Sequence, residues 1–301
     1  MASGRFASGY HSFEECVQLA QQHGLSKVEA AYLGMQGNTY LYLMRPLQPG
    51  IDMCLRAAAL ARRLGHPRAE IVARHAAGQG YLELDDVAKA MAEAQVSLEL
   101  ARAIRSPRFE GESIAFIGWC VGRQGDRKGA SKLFAEALEL MRGSMGYCGP
   151  LLLGALAMCA DDEADRERFL QEGERLLGLG SIAFNAFYFN RSAMELMLDA
   201  HQYERALRYT RSMEEAFGAE PVPLVQFVAD RARALVAFGR GSRDVGLALE
   251  LERLRNDALT VGMHVPLEGI DRALAAMRTA YTQRTGAENT EDAETTGKQS
   301  Y

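Results

Sequence analysis

A strong excess of charge of one sign is missing from this sequence of 301 residues. Its 34 lysine and arginine residues stand against 39 aspartate and glutamate residues, which leaves a formal net charge of −5. Proteins that bind nucleic acids neutralise phosphates with a basic surface, so this balance argues against a nucleic-acid partner. With 48% hydrophobic and 24% charged residues, the composition is that of an ordinary globular chain with a buried core.

Long hydrophobic runs are also missing. The longest nearly uncharged apolar stretch is 148–160, which ends at Asp161 and is shorter than the roughly 20 residues of a membrane-spanning helix. No apolar core of the length that a secretory signal needs follows Met1. We therefore expect no membrane span, no export and a cytoplasmic location.

The sequence has few cysteines and no Cys-x-x-Cys pair. An odd set of five fits neither a disulfide framework nor a structural zinc site. No histidine or lysine is adjacent to any of them, which argues against a reactive thiol. We expect reduced, mostly buried thiols at Cys16, Cys54, Cys120, Cys148 and Cys159.

The common catalytic and cofactor motifs are absent. The sequence contains no Gly-x-x-x-x-Gly-Lys-Ser/Thr loop, no Gly-x-Gly-x-x-Gly fingerprint, no Gly-x-Ser-x-Gly elbow and no His-Glu-x-x-His pair. Its six histidines never lie three or four residues apart, so no metal-binding pair forms on one helical turn. The acidic run 161–163 is better explained as a helix start, where the helix dipole favours carboxylates. We expect no enzyme activity, cofactor or metal, and leave open an unrecognised active site.

What the sequence does contain is an internal repeat. Residues 61–70, Ala-Arg-Arg-Leu-Gly-His-Pro-Arg-Ala-Glu, align at an offset of forty with residues 101–110, Ala-Arg-Ala-Ile-Arg-Ser-Pro-Arg-Phe-Glu. The alignment has five identities and a Leu/Ile match. The same offset pairs Gly78 with Gly118 and continues through matching Asp, Ala, Leu and Glu residues as far as position 140. A unit of forty residues is therefore repeated.

Each unit is predicted to form two helices joined by a turn. In the best copy, 112–124 forms one helix and 127–142 the next, with Gly125 and Asp126 between them. Glycine ends the first helix, and the aspartate can cap the second by accepting hydrogen bonds from its free N–H groups.

Small and large residues alternate at the predicted helix contacts. Gly118 and Ala130 are small enough for two antiparallel helices to approach closely, and Phe134 is large enough to fill the gap toward a neighbouring unit. Pro67 and Pro107 are predicted to close the second helices, since a proline disfavours helical geometry in the residue before it.

This pattern resembles the tetratricopeptide repeat. The resemblance is carried by Ile117-Gly118-x-x-Val121-x-x-x-Gly125-Asp126-x-x-x-Ala130-x-x-x-Phe134-x-x-Ala137-Leu138. Val121 stands where the family prefers an aromatic residue, and Tyr81 restores that aromatic in the preceding unit. The segment 203–207, Tyr-Glu-Arg-Ala-Leu, resembles the turn and the start of a second helix. The resemblance implies a superhelical stack of helical hairpins.

The period of forty departs from the roughly 34 residues of the standard repeat. With its Ala-Arg-x-hydrophobic-x-x-Pro-Arg-x-Glu exit, the longer unit resembles the helical C-terminal arm of large bacterial signalling ATPases and nucleotide-cyclase-like regulators. This resemblance lies in the general pattern of the sequence over roughly residues 10–260, and no single residue is diagnostic of it. It implies association with an ATPase- or cyclase-type signalling protein, but not its activity, because that activity belongs to catalytic domains that this sequence does not contain.

We therefore predict an all-α fold, a right-handed superhelical solenoid of about six antiparallel helix pairs plus a capping helix. Residues 1–10 are expected to be flexible, and 11–284 to form the repeat domain. Residues 285–301 contain no Val, Ile, Leu, Met or Phe, so they cannot offset their ordering entropy and are expected to be disordered.

The first helix of each pair would expose one face to a concave groove, where we expect binding to occur. Trp119, the single tryptophan, would make a good anchor for a partner, although packing between units explains it equally well. The repeat phase predicts these groove residues: His75, Gln79, Glu83, Trp119, Arg123, Tyr188, Arg191, Glu195 and Arg231.

The function predicted from these features is a non-catalytic scaffold or regulatory module that binds a protein segment in the groove. The alternative is a ligand-sensing arm of a bacterial signalling ATPase, cyclase or transcriptional regulator that takes a small molecule or a peptide. Neither a nucleic acid nor a membrane is an expected partner.

Overall fold

The computed structural model describes residues 5–279, and all regular secondary structure in that range is helical. Short connections join the helices, a 3-10 turn occupies Arg142–Ser144, and a last helix, α14, occupies 267–279. The other helices are α1 (Phe6–Gln22), α2 (Ser26–Tyr40), α3 (Leu47–Arg63), α4 (Pro67–Glu83), α5 (Val87–Ala103), α6 (Pro107–Arg123), α7 (Arg127–Leu140), α8 (Met145–Cys159), α9 (Glu163–Gly178), α10 (Ala183–Asp199), α11 (Tyr203–Glu215), α12 (Pro223–Gly239) and α13 (Val245–Val261).

The helices pack in sequence order into two layers. Each helix from α1 to α12 contacts the next one along the chain. The even-numbered helices from α2 to α12 also contact one another in series and form the inner layer. This is the contact pattern of a solenoid of helix pairs, so the predicted all-α solenoid is confirmed.

The hairpin of α6 and α7 shows how the repeat sequence builds one unit. Gly125 has a φ of +93°, which suits a residue without a Cβ and lets the chain leave α6. The Asp126 carboxylate then caps α7 by accepting a hydrogen bond of 2.8 Å from the Gly129 N–H. Phe134 is buried, and its ring lies so close to Gly118 that a Cβ there would be 2.8 Å from a ring carbon. The predicted cap is present. The Phe134 ring, which was expected to fill the gap toward a neighbouring unit, packs against Gly118 of its own hairpin, and Ala130 lies nearest to Gly122.

The two repeated prolines begin helices instead of ending them. Pro67 is the first residue of α4 and Pro107 is the first residue of α6. A proline fits there because the first N–H groups of a helix have no partner within the helix, so the missing donor costs nothing. The residues before them, His66 and Ser106, are non-helical, as the sequence predicted. The error lay in assigning the prolines to the preceding helix.

The first helix starts earlier than the boundary at residue 11 that was expected from the sequence. α1 begins at Phe6, so residues 6–10 are helical and not loose. Phe6 is fully buried, with its ring centroid 4.4 Å from that of Tyr42 and 5.6 Å from that of Phe217. Burial of this aromatic ring stabilises the extra turn. The tail predicted at 285–301 lies outside the described residues.

The cysteines are free thiols, as predicted. Cys54, Cys120 and Cys148 are buried, while Cys16 and Cys159 are partly exposed. Burial raises the pKa of Cys120 to about 11, which leaves its thiol protonated at neutral pH. No helix within 5–279 combines the length and the apolarity that crossing a bilayer requires.

Contacts between distant helices bring the C-terminal part of the superhelix back onto its N-terminal part. The Leu224 N–H donates a hydrogen bond of 3.1 Å to the Tyr42 carbonyl oxygen, and the His264 N–H donates one of 2.9 Å to the Glu83 carbonyl oxygen. The Tyr42 ring also lies edge-on to that of Phe187, at 5.7 Å between centroids. The concave side is therefore partly closed by the chain itself.

The Gly118 contact makes a prediction about stability. We expect Gly118→Ala to lower the free energy of unfolding by about 1–3 kcal/mol, because the added methyl group would overlap the buried Phe134 ring. Gly122→Ala, one turn later, is the matched control. Its Cβ would lie at an ordinary 3.5 Å from that of Ala130, so it should be neutral or stabilising by up to about 1 kcal/mol. Urea unfolding followed by circular dichroism measures both, and equal stabilities would contradict the proposed packing.

Candidate functional site

A cavity of about 980 Å³ lies on the concave side and is bounded mainly by α4, α6, α8 and α10. This volume is at the upper end of the range for small-molecule sites, about 300–1,000 Å³. Its walls are mostly apolar and aromatic, and the large side chains among them are Phe116, Trp119, Phe134, Leu151, Leu152, Met158, Phe184 and Tyr188.

The structure brings eight of the nine predicted groove residues to this cavity. They are His75, Gln79, Glu83, Trp119, Arg123, Tyr188, Arg191 and Glu195. Arg231 is buried behind the wall, where it donates hydrogen bonds to the Glu195 carboxylate at 2.5 Å and to the Pro266 carbonyl oxygen at 3.1 Å. Arg231 therefore joins α12 to α10 and to the segment before α14. The binding role of the set remains a prediction.

Four of these residues contact one another across the concave side. Arg191 donates to both carboxylate oxygens of Glu83, at 2.5 and 3.1 Å. The Gln79 side-chain amide donates to the Tyr188 hydroxyl and, at 3.2 Å, to the Tyr42 hydroxyl. We call the contacts of Gln79 and Glu83 with Tyr188 and Arg191 the α4–α10 bridge, since they join helices more than a hundred residues apart in sequence.

The α4–α10 bridge is mostly shielded from water. The side chains of Glu83 and Arg191 are 14% and 15% exposed. Burial opposes the charged form of Arg191, but the Glu83 carboxylate outweighs it and raises the arginine pKa. Burial also raises the pKa of Tyr42 to about 12, so this hydroxyl stays protonated. The bridge is thus a mostly buried ion pair backed by neutral hydroxyl groups. Its two charges are strongly coupled, because each is largely shielded from water and depends on its partner.

Trp119 combines the two roles considered for it from the sequence. Its ring packs edge-on to Phe116, at 5.2 Å between centroids, and lies 5.6 Å from the ring of Phe134. It is only partly buried and also lines the cavity. Trp119 therefore belongs to both the core and the cavity wall.

Arg123 lies in the exposed part of the cavity wall and forms an ion pair of 2.6 Å with Asp85.

A second polar cluster lies along α6, and sequence reasoning found only one of its members. His75 Nε2 is 2.9 Å from the Ser113 hydroxyl, and its Nδ1 is 3.6 Å from the Glu112 carboxylate. Arg108 donates to the same carboxylate at 2.9 Å. Glu112 and Arg108 line the cavity. At the offset of forty residues, Arg108 corresponds to Arg68, but Glu112 corresponds to Val72 and not to an acidic residue. The repeat therefore could not predict this cluster.

The order Ser113, His75, Glu112 is that of a catalytic triad, but the serine is not placed to act as a nucleophile. Its side chain has no exposed surface and does not line the cavity. Its hydroxyl donates a hydrogen bond of 2.8 Å to the Phe109 carbonyl oxygen. With its one proton used there, Ser113 accepts a hydrogen bond from the imidazole. The cluster therefore holds His75 in place against the wall.

The α4–α10 bridge predicts a large coupling energy between its charged members. We expect Glu83→Gln or Arg191→Met alone to cost about 3–5 kcal/mol, because each leaves a buried group without its charged partner. In a double-mutant cycle the coupling should be about 2–3 kcal/mol. The matched control is the more exposed pair of Arg102 and Glu110, where we expect no more than about 1 kcal/mol. Similar coupling energies for the two pairs in urea unfolding would contradict a buried bridge.

Glu112 predicts a dependence of stability on pH. Burial alone would raise its pKa, but His75 and Arg108 together hold it below the ordinary value of 4.5. Ionised Glu112 therefore stabilises the folded state above pH 4.5, and this contribution is lost as the pH falls through the lower folded pKa. Glu112→Gln should cost about 1–3 kcal/mol at pH 7. This difference should persist to pH 5 and shrink below pH 4.5.

The control for this measurement is Glu110→Gln, which changes a carboxylate two residues away whose ion-pair partner, Arg102, is exposed. It should cost less than about 0.5 kcal/mol at each pH. Urea unfolding at pH 7, 5 and 4 measures both variants. A Glu112→Gln effect that stays constant or grows toward pH 4 would show that the carboxylate is not held in its ionised form.

Comparisons with known proteins identify the architecture alone. No family model matches the chain, and no curated protein matches it. Among solved structures, it is similar to the crystal structure of the apo form of RapI, with a TM-score of 0.53 and 13% sequence identity. The match covers 91% of this chain and 99% of RapI. Together with the repeat, it supports a tetratricopeptide-like helical repeat fold.

Proposed function

We propose that this protein is a non-catalytic regulatory module that binds a compact ligand, the end of a peptide or a small molecule, in its concave cavity. The observation that carries the proposal is a cavity of about 980 Å³ with aromatic and apolar walls, bounded by the inner helices of the solenoid and crossed by the α4–α10 bridge. Concave sites with apolar walls and a few polar groups are the usual form of ligand pockets.

The α4–α10 bridge favours a compact ligand over a long protein segment. An extended segment lying along the inner helices would have to cross the contact between Glu83 and Arg191. Breaking this contact would separate two charges whose side chains are only 14% and 15% exposed, which is costly because each would lose its main partner. A short ligand can occupy the space between the bridge and the walls without that cost. The scaffold function that takes a long segment is therefore the less favoured of the two sequence-based hypotheses.

The polar groups of the cavity support a binding role over a catalytic one. The Glu83 carboxylate is held by Arg191 and the Glu195 carboxylate by Arg231, while Glu112 is held by Arg108. A general acid or base needs a proton that it can exchange with a substrate, and ion pairing opposes this exchange. These groups instead fix the shape of the cavity.

The broader setting of the proposal is a signalling role in the cytoplasm. The solved structure similar to this chain is described as an apo form, a term for a protein without its ligand. The repeated exit segments 61–70 and 101–110 resemble those of helical arms in bacterial signalling ATPases and cyclase-like regulators. We propose that ligand occupancy in the cavity is communicated to a protein of that type. An ATPase or cyclase reading frame adjacent to the gene would support this association.

Binding in the cavity can be tested with the neutral apolar probe N-phenyl-1-naphthylamine. Trp119 is the only tryptophan and lines the cavity, so its emission should be transferred to a probe bound there. We expect one saturable site with quenching of Trp119. Ser192→Phe, which enlarges a side chain on the wall, should weaken binding by about tenfold or more, since about 1.4 kcal/mol of lost contact is tenfold.

The control is Ser212→Phe, which places the same ring on α11, outside this cavity. It should leave binding of the probe unchanged. Unfolding curves of both variants show whether they fold. Absence of saturable binding to the native chain, or equal binding to the two folded variants, would overturn the proposal.

A further inference from the structure

Two guanidinium groups meet at the edge of the cavity where α7 and α9 begin. Arg127 is the first residue of α7, and Arg166 lies in the first turn of α9. Arg127 Nη2 donates to the Met158 carbonyl oxygen at 3.0 Å and to the Ala160 carbonyl oxygen at 3.4 Å. Arg166 Nη2 donates to the same Ala160 oxygen at 3.3 Å. The two groups therefore lie within two hydrogen-bond lengths of each other, and both line the cavity.

These two arginines differ from the other arginines of the cavity wall. Arg108, Arg123 and Arg191 each form an ion pair with a carboxylate. Within residues 5–279, neither Arg127 nor Arg166 has a carboxylate oxygen within 4.0 Å. The Arg166 Nε is also buried and has no hydrogen-bond acceptor. Buried donors without an acceptor are uncommon in folded proteins, so the hydrogen-bonding capacity of Arg166 is only partly used by the protein itself.

The two guanidinium groups, which lack a carboxylate partner among the described residues, carry the positive charge that favours an anion at this place. The positive ends of the α7 and α9 dipoles contribute little to it, because each is already met by a capping aspartate. The aspartates that precede these helices are occupied as caps, since Asp126 accepts from the Gly129 N–H and Asp162 from the Asp165 N–H. Asp161 is exposed to solvent. The Met158 and Ala160 carbonyl oxygens offset part of the positive charge, which suits an anion of one charge better than one of two.

The cavity that the two guanidinium groups line also has large apolar side chains. Ala155 and Met158 of α8, Trp119 of α6 and Phe184 of α10 line this cavity. A ligand whose charged end contacts the arginines would therefore place its remaining atoms against apolar and aromatic side chains. Burial of such a body contributes about 25 cal/mol per Å² of apolar surface.

We infer that the ligand of this cavity is an amphiphilic carboxylate, held at its charged end by Arg127 and Arg166 and along its apolar body by the walls around Trp119. This inference rests on the proposed function and adds the chemical class of the ligand. The planar, forked donors of two guanidinium groups match the geometry of a carboxylate. A fatty-acid-like molecule and the apolar C-terminus of a peptide both supply this chemistry.

The test measures displacement of N-phenyl-1-naphthylamine from the full chain by two matched pairs of competitors. Dodecanoate is compared with dodecanol, and N-acetyl-Leu-Leu-Phe with its C-terminal amide, so that each pair differs only at the anionic group. We expect at least one carboxylate to bind about tenfold or more tightly than its neutral counterpart, because charge-assisted hydrogen bonds are the stronger kind. The pair that shows this preference identifies the source of the carboxylate.

The variants assign the preference to the two arginines. Arg127→Gln with Arg166→Gln should remove the preference for the carboxylate while binding of the neutral probe remains, which also shows that the cavity is intact. Arg168→Gln is the matched control on α9, since the Arg168 side chain is 67% exposed and its guanidinium is paired with Asp165. It should retain the preference.

Three outcomes would overturn the inference. Neutral competitors could bind as well as carboxylates, the preference could survive in the double variant, or dodecyl phosphate could compete about tenfold better than dodecanoate. In each case the neutral probe would still bind, so the proposed function would stand. Failure of the neutral probe to bind the native chain would instead overturn the proposed function and, with it, this inference.

Discussion

The shape of the concave side depends on one buried interaction, the ion pair of Glu83 with Arg191. It joins α4 in the second helix pair to α10 in the fifth, and Gln79 extends it with a contact to Tyr188. A stack of helical hairpins by itself yields an open groove, because each unit contacts only its neighbours. The ion pair of Glu83 with Arg191 adds a contact between two units that are not adjacent in the stack. Together with the other long-range contacts, it partly closes the groove.

The remaining long-range contacts have the same effect at the ends of the superhelix. Phe6 fills the space between Tyr42 and Phe217, and the Leu224 N–H donates to the Tyr42 carbonyl oxygen. Together these contacts hold the C-terminal helices over the inner layer. The binding proposal follows from this partial closure, since a concave apolar surface that is shielded from bulk water strengthens the charged contacts made within it.

The sequence predicted the inner face well and its contacts poorly. The repeat phase brought His75, Gln79 and Glu83 to the cavity wall because residues three to four apart share one face of a helix. The same phase could not show that Glu83 faces Arg191 across the cavity, since their relative position is the sum of the rotations of the intervening hairpins. Arg127 and Arg166 were not predicted, because they lie at helix starts, outside the repeated face.

The sequence by itself determined the helical hairpins, their order and the face that each inner helix turns to its neighbours. These properties depend on interactions within about forty residues, such as the Asp126 cap and the fit of Phe134 against Gly118, and a local pattern records them. Only the tertiary structure decided that Pro67 starts a helix, that residues 6–10 are packed, and that the groove is closed by Arg191. Small rotations accumulate from one hairpin to the next, so contacts between distant units depend on the whole stack and leave no periodic signal in the sequence.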